Sequence, residues 1–256
     1  MRLEALRERI AQALKDVVGV VALRRAYGSV APHLFQKGEE LDDLALWPKY
    51  PLANVLRLLQ EAHPESTLAI VCRGCDERQL VELAKRKQVD LAKVRVIGLA
   101  CTTEEAQACQ CEEPYPTHID VGGKVEGVSE AELEGSLPKD AEERWAFWRH
   151  QFQKCFKCYG CRNICPLCFC KECSLEEGLW VVPGRLPPPF PIFHLIRAMH
   201  TVARCVDCGE CEAACPAEIP LTTLYSLLRK DAEELFDYVP GRSLEEEPPL
   251  LLDTEI

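Results

Sequence analysis

One cysteine run, present twice, constrains this chain more than any other feature. The first run is Cys155-x2-Cys158-x2-Cys161-x3-Cys165, followed by Pro166, and the second is Cys205-x2-Cys208-x2-Cys211-x3-Cys215, followed by Pro216. Three closely spaced thiolates can wrap one corner of an iron–sulfur cubane. In two-cluster ferredoxins the fourth cysteine of each run binds the other cluster. The spacing therefore predicts two [4Fe–4S] clusters.

Each predicted cluster takes three ligands from one run and its fourth from the other. Cluster 1 is expected on Cys155, Cys158, Cys161 and Cys215, and cluster 2 on Cys205, Cys208, Cys211 and Cys165. Zinc is the alternative, because zinc sites also use C-x2-C pairs, although a zinc ribbon needs two pairs rather than a repeated four-cysteine run. Three further cysteines, Cys168, Cys170 and Cys173, could be spare ligands, contact sulfurs or part of another metal site.

The total cysteine content points to a cellular compartment. Sixteen cysteines in 256 residues are typical of secreted disulfide scaffolds or of metal proteins. Residues 1–16 are charged throughout and lack the apolar region of a signal peptide. No apolar stretch approaches the length of a membrane span. We therefore expect a cytoplasmic protein with reduced, metal-binding thiols and no direct membrane span.

The first half of the chain has the pattern of an α/β domain. Apolar residues at helical spacing predict a first helix near the start, at Leu3, Leu6, Ile10, Leu14 and Val17. The apolar runs 68–71 and 94–99 read as strands around a helix that ends near Lys87, with Asp76 as its N-cap. Such a unit favours a small parallel sheet, with ligands beyond the carboxyl ends of its strands.

These patterns divide the chain into three predicted segments. Residues 1–140 form an α/β domain with a cysteine-rich sheet edge. Its last part, residues 122–140, is a polar connector to the next segment. Residues 141–241 form an α+β two-cluster ferredoxin-like domain, introduced by an aromatic helix over 142–153. Residues 242–256 read as an acidic tail.

Five more cysteines belong to the predicted sheet edge. Cys72 and Cys75 follow one strand, Cys101 follows the other, and Cys109 and Cys111 come next. A third [4Fe–4S] cluster could take Cys75, Cys101, Cys109 and Cys111, with Cys72 at the strand end facing the core. The alternatives are buried free thiols, which pack like small apolar side chains, or a single zinc ion.

The loop after the first of these strands is also a candidate cofactor site. A glycine before a helix N-terminus can receive a phosphate, and a nearby arginine adds positive charge. Arg73, Gly74 and Asp76 therefore form a candidate site for a flavin such as FAD. The alternative is that Asp76 only caps the helix, since the chain has no GxGxxG fingerprint.

Several stretches resemble one family of oxidoreductase subunits. They are VCRGCDERQLVELAKRKQV, VIGLAC, KCFKCYGCRNICPLCFCKEC and FHLIRAMHTVARCVDCGECEAACPAEIPL. Over roughly residues 65–240 they resemble the beta subunits of formate dehydrogenases and deazaflavin-reducing hydrogenases, especially bacterial iron–sulfur members. The resemblance implies an electron-carrying subunit with the eight run cysteines as ligands and the loop 73–76 as a landmark. In the hydrogenase subunits the cluster domain precedes the α/β domain, whereas here it follows.

Three functions are compatible with the sequence. The first is an electron-transfer subunit between a catalytic subunit, of molybdopterin or hydrogenase type, and a flavin, ferredoxin or other redox partner. The second is a flavoenzyme subunit that itself reduces a nicotinamide or deazaflavin, and the third is a zinc-stabilised interaction module. No nucleophile–base pair or Walker loop is recognisable, so no catalytic residue is predicted. The formal charge of -11 argues against nucleic acid as a partner.

Overall fold

The computed structural model describes residues 1–128 and 137–249. The chain divides into two compact units, the first made of Met1–Gly127 and Gly241–Glu245, the second of Val128–Pro240 and Glu246–Ile256. Residues 129–136 of the predicted connector and 250–256 of the predicted tail lie outside the described residues. Among the helices that are described, none combines the length and apolar character needed to span a bilayer.

A mixed five-stranded sheet forms the centre of the first unit. Its strands are β1 (Gly19–Ala26), β2 (Ser29–Gln36), β3 (Leu44–Ala45), β4 (Leu68–Cys72) and β5 (Val94–Gly98). The strand order is β2-β1-β4-β5, and β3 also pairs with β1. β4 lies parallel to β1 and to β5, as predicted for the β4–β5 pair, whereas β2 and β3 are antiparallel to β1. The α/β class is confirmed, but the sheet is mixed and not purely parallel.

A hairpin that the sequence analysis missed explains the antiparallel edge. Tyr27 and Gly28 form a two-residue turn between β1 and β2, with φ of 52° and 77°. A turn with two positive φ angles matches the twist of antiparallel strands, and glycine adopts such an angle without steric cost. The sequence signal of this hairpin is weak because residues 19–23 of β1 are all buried. The strand is therefore an apolar run without the alternation typical of an antiparallel strand.

Helices cover the strands of the first unit. They are α1 (Arg2–Ala13), α2 (Leu52–Ala62), α3 (Gly74–Lys85), a short 3₁₀ helix (Leu91–Lys93) and α4 (Thr103–Cys109). The predicted first helix is confirmed, with Leu6 and Ile10 buried. The prediction of Asp76 as an N-cap is wrong. Arg73 is the N-cap of α3, and the Asp76 carboxylate, at the third helical position, accepts a hydrogen bond from the Arg73 backbone N–H at 3.0 Å.

Glu82 in α3 is a buried carboxylate with cationic neighbours. Its side chain is 0% exposed, and its Oε1 lies 3.2 Å from Lys85 Nζ. Arg86 pairs with the same carboxylate, and the backbone N–H of Gly241 donates to Oε1 at 2.8 Å. Both cationic side chains are buried too, so Glu82 neutralises charge that water does not reach.

Replacing Glu82 by glutamine should lower the free energy of unfolding by roughly 3–5 kcal/mol, because two buried cations lose their counter-charge. Denaturant-induced unfolding measures the loss. Glu61→Gln is the matched control, since Glu61 pairs with Arg57 in α2 but is 69% exposed. That change should cost about 0.3–0.5 kcal/mol. Equal losses in the two variants would contradict the role assigned to Glu82.

The described part of the second unit consists of helices and loops. Its helices are α5 (Ala141–Gln153), α6 (Gly160–Asn163), α7 (Ile192–Thr201), α8 (Glu210–Ala213) and α9 (Leu221–Phe236). The predicted aromatic helix is confirmed as α5. No strand occurs in the described part of this unit, so the α+β prediction is not confirmed. A buried cluster of Phe152, Ala198, Ile219, Leu221 and Tyr225 packs against cysteines of both runs.

Candidate metal centres

The two cysteine runs fold into matching loops. Positive φ angles recur at equivalent positions, at Lys157 and Tyr159 in the first run (54° and 59°) and at Asp207 and Gly209 in the second (54° and 72°). A short helix, α6 or α8, follows each loop. Alternation of right- and left-handed residues directs successive backbone N–H groups into a concavity that attracts anions. The repeated sequence therefore produces a repeated backbone.

Backbone donors in the first loop point at cysteine sulfur atoms. The N–H of Lys157 donates to Cys155 Sγ at 3.5 Å, and the N–H of Gly160 donates to Cys158 Sγ at 3.4 Å. Hydrogen bonds of this kind stabilise thiolates and are one of the means by which a protein sets a cluster's reduction potential. The loop is thus organised around the sulfur atoms.

Each predicted ligand set lines its own cavity. Cavity 1 has about 350 Å³ of empty space, its solvent-open mouth included, and is lined by Cys155, Cys158, Cys161 and Cys215. Cavity 2 has about 470 Å³ on the same basis and is lined by Cys165, Cys205, Cys208 and Cys211. The fourth cysteine of each run thus lies with the first three of the other, which is the grouping that the spacing predicts.

The donor set of each cavity is compatible with a cubane. Among residues 1–128 and 137–249, no three His, Cys, Asp or Glu side chains converge on a point that could hold a single metal ion. A [4Fe–4S] cluster makes a different demand, because each of its four thiolates binds its own iron atom. Four thiols around one largely apolar cavity satisfy that demand twice in this unit.

Cys168 lies beside one of the candidate ligands. Its thiol donates a hydrogen bond to Cys165, which lowers the pKa of Cys165 although burial opposes the change. The same bond, together with burial, raises the pKa of Cys168. This interaction favours Cys165 as the thiolate of the pair, the form that binds metal, and it agrees with the interpretation of Cys168 as a contact sulfur. Of the other two extra cysteines, Cys173 hydrogen-bonds the Arg162 side chain and Cys170 is exposed.

Helix α7 contributes side chains to both cavities. Phe193 and His194 line cavity 1, whereas Arg197 and Thr201 line cavity 2. The His194 ring stacks on Phe152 with centroids 4.0 Å apart, which agrees with a packing role. Burial and the charge of Arg197 lower the pKa of His194 to about 4. The sequence analysis missed Arg197. The pattern that could have indicated it is a single arginine within the apolar segment between the two runs.

The five cysteines of the first unit lie at or after the carboxyl ends of β4 and β5. Cys72 ends β4 and is fully buried, as predicted, and burial raises its pKa so that it stays a neutral thiol. Cys75 is the second residue of α3, Cys101 follows β5, Cys109 ends α4, and Cys111 follows. Cys111 interacts electrostatically with both Cys75 and Cys101.

Two arginines accompany this group of thiols. Arg78 Nη2 lies 3.7 Å from Cys111 Sγ, and Nη1 donates to the carbonyl of Glu113 at 3.1 Å. Arg73 is buried, which opposes its charge, but attraction from Asp76, Cys101 and Cys75 raises its pKa. Metal-bound thiolates carry negative charge, and two adjacent cations offset it where water is excluded.

The loop predicted for a flavin has no space for a phosphate. A Cβ on Gly74 would lie 2.4 Å from the Tyr115 carbonyl oxygen and 2.7 Å from that of Glu113. Glycine is therefore required by the close approach of another backbone segment. Arg73 and Asp76 are both buried, and the Arg73 guanidinium donates to the Leu46 carbonyl. These residues do not fit a flavin phosphate.

Two curated proteins are similar to about half of this chain. No protein-family model matches the chain. The F420-dependent formate dehydrogenase subunit beta of Methanocaldococcus jannaschii is 37% identical over 133 residues, which are 51% of this chain and 35% of that protein. Over about half of its length, this chain is similar to formate dehydrogenase beta subunits. The F420-dependent formate dehydrogenase 1 subunit beta of Methanococcus maripaludis is 31% identical over 141 residues, 54% of this chain and 36% of that one.

The predicted resemblance to formate dehydrogenase beta subunits is thereby confirmed. The chain spans about a third of the length of these two relatives. What the relatives act on, and what they assemble with, therefore applies to this chain only as a proposal.

Proposed function

We propose that this chain is an iron–sulfur electron-transfer subunit of a multi-subunit oxidoreductase of the formate dehydrogenase type. The observation that carries the proposal is the sorting of eight cysteines into two four-thiol cavities. When bound, a [4Fe–4S] cluster accepts and releases one electron at a time. Cys155, Cys158, Cys161 and Cys215 would hold cluster 1, and Cys205, Cys208, Cys211 and Cys165 would hold cluster 2.

The residues around the clusters hold and shield them. The backbone N–H groups of Lys157 and Gly160 in the first loop hydrogen-bond the sulfur atoms of Cys155 and Cys158 and stabilise the thiolate form. Apolar side chains such as Phe193 and Ile219 in cavity 1 and Leu167 in cavity 2 exclude water. The apolar lining and the thiol groups of both cavities support electron transfer as the role of the second unit.

A third [4Fe–4S] cluster is part of the proposal. Cys75, Cys101, Cys109 and Cys111 would hold it at the edge of the sheet, with Arg73 and Arg78 as nearby cations. Cys72 is left out of this set because it ends β4 and is fully buried in the core of the first unit. The α/β domain, residues 1–140, would then hold a redox centre of its own, in addition to those of the two-cluster domain, residues 141–241.

The relatives' names, which are those of formate dehydrogenase beta subunits, support a catalytic partner subunit in a complex. We propose that this subunit is of molybdopterin or hydrogenase type and that a second redox protein takes or supplies electrons. We place the complex in the cytoplasm, where thiols remain reduced. The proposal places no flavin phosphate at residues 73–76, where the backbone of Tyr115 and Glu113 approaches Gly74 closely.

Anaerobic purification of the full chain with its co-eluting proteins tests this function. We expect about eight iron atoms per chain from the two runs, or about twelve with the third cluster, and matching amounts of acid-labile sulfide. Zinc, iron and flavin are counted in the same sample. A colourless protein with zinc and no iron would identify an interaction module instead, and flavin in equal amount to the chain would favour a flavoenzyme subunit.

A further inference from the structure

Arg197 is a buried cation that contacts the surroundings of both cavities. It lies on α7 and is 4% exposed. Its Nη2 donates to the backbone carbonyl of Cys161, a cavity 1 cysteine, at 2.8 Å. The same side chain lines cavity 2, together with Cys165, Cys205 and Cys211. One guanidinium is therefore shared by two sets of candidate ligands.

The neighbours of Arg197 leave its charge uncompensated. Nη1 donates to Tyr225 Oη, and the guanidinium carbon lies 4.8 Å from the Tyr225 ring centroid. Nε is buried and has no hydrogen-bond partner. No carboxylate among the described residues forms an ion pair with this arginine. A buried cation without a counter-ion is costly, so its position indicates an anionic group nearby.

A [4Fe–4S] cluster with four thiolates is such an anion. Its total charge is about -2 when oxidised and about -3 after one electron is added, and no bond forms or breaks. A nearby cation attracts the reduced state more strongly than the oxidised state. It therefore favours reduction, and the effect is large where water does not screen the charges.

We propose that Arg197 is the shared counter-cation of the two clusters and raises the reduction potential of both, that of cluster 2 more. This inference rests on the proposed function, because it needs both clusters. Cluster 2 responds more because Arg197 lines cavity 2, whereas it does not line cavity 1 and contacts that ligand set through the backbone carbonyl of Cys161. Arg197 acts on the electrons through charge and position, and it is not a metal ligand.

The test is an anaerobic redox titration of the intact protein, with dithionite as the one-electron reductant and EPR to follow each cluster. Arg197→Gln and Arg197→Met remove the charge, and Arg197→Lys keeps it. At the wild-type midpoint of cluster 2, the ratio of reduced to oxidised cluster should fall at least tenfold in the neutral variants, equivalent to about 59 mV for one electron. Cluster 1 should shift less, and Arg197→Lys should stay near the wild-type ratio.

Arg185→Gln is the matched control, because Arg185 is an exposed arginine in the same unit. It should change neither the ratio nor the iron content. A neutral Arg197 variant that keeps its iron and an unchanged ratio overturns the inference.

For variants that fail to assemble their clusters, the iron content of the purified protein decides the outcome. Iron retained in Arg197→Lys but lost from both neutral variants supports the counter-cation, since charge is what separates them. Iron lost from all three shows a purely structural role and overturns it. Wild-type protein without iron would defeat the proposed function itself, which is a distinguishable result.

Discussion

The Cys165→Ser and Cys205→Ser variants are each expected to lose about four iron atoms relative to the wild type, and the double variant is expected to lose no more. Both cysteines line cavity 2, although they come from different runs. They should therefore serve one cluster. Combining Cys165→Ser with Cys155→Ser should instead remove about eight iron atoms, because Cys155 lines cavity 1.

Iron and sulfide analysis per chain, together with EPR of the reduced protein, measures these losses. Cys170→Ser is the control, since Cys170 is exposed and lines neither cavity. It should retain all its iron. If the Cys155/Cys165 double variant loses only four iron atoms, each run binds its own cluster and the exchange of fourth ligands is wrong. Adding Cys168→Ser to Cys165→Ser shows whether the contact sulfur can replace the lost ligand.

The Cys111→Ser variant is expected to lose about four iron atoms relative to the wild type, those of the third cluster, whereas Cys72→Ser should lose none. Cys111 interacts with Cys75 and Cys101 and lies 3.7 Å from Arg78 Nη2, so its thiolate would be both a ligand and charge-compensated. Cys72 is a matched control in the same unit, because it is a buried cysteine at the end of β4.

The same metal analysis separates the alternatives for these thiols. Loss of one zinc atom in place of iron would identify a single-ion site. No change in any metal would show that the five cysteines are packed thiols, and the third cluster would be abandoned. In either case the prediction for Cys165 and Cys205 is unaffected, since those residues lie in the other unit.

Local patterns explain what could be predicted from the sequence. β4, α3 and β5 were recognisable because each is a short segment with its own apolar signal. The cysteine grouping was predictable because ligand spacing within a run is local and the repeat supplies the exchange of fourth ligands. Asp76 was misplaced by three positions because capping boxes put an acidic residue inside the helix, where sequence alone reads it as the cap.

Features that depend on tertiary contacts could not be predicted in this way. Gly74 resembled a phosphate-binding glycine, but the nearby carbonyl of Tyr115 decides its role, and that residue is 41 positions away. The sequence did not distinguish Arg197 from other helical cations. Its burial and its position at cavity 2 depend on tertiary contacts. The β1–β2 hairpin was hidden because β1 is buried on both faces.

The matching loops have a consequence for how this protein matures. Each repeat contributes three cysteines to one cavity and its fourth cysteine to the other, so neither repeat contains a complete set of four. Partial synthesis or proteolytic loss of one repeat would leave two incomplete centres and not one intact centre. In the proposed two-cluster arrangement, neither cluster could therefore be completed before both cysteine runs, within residues 155–215, are in place.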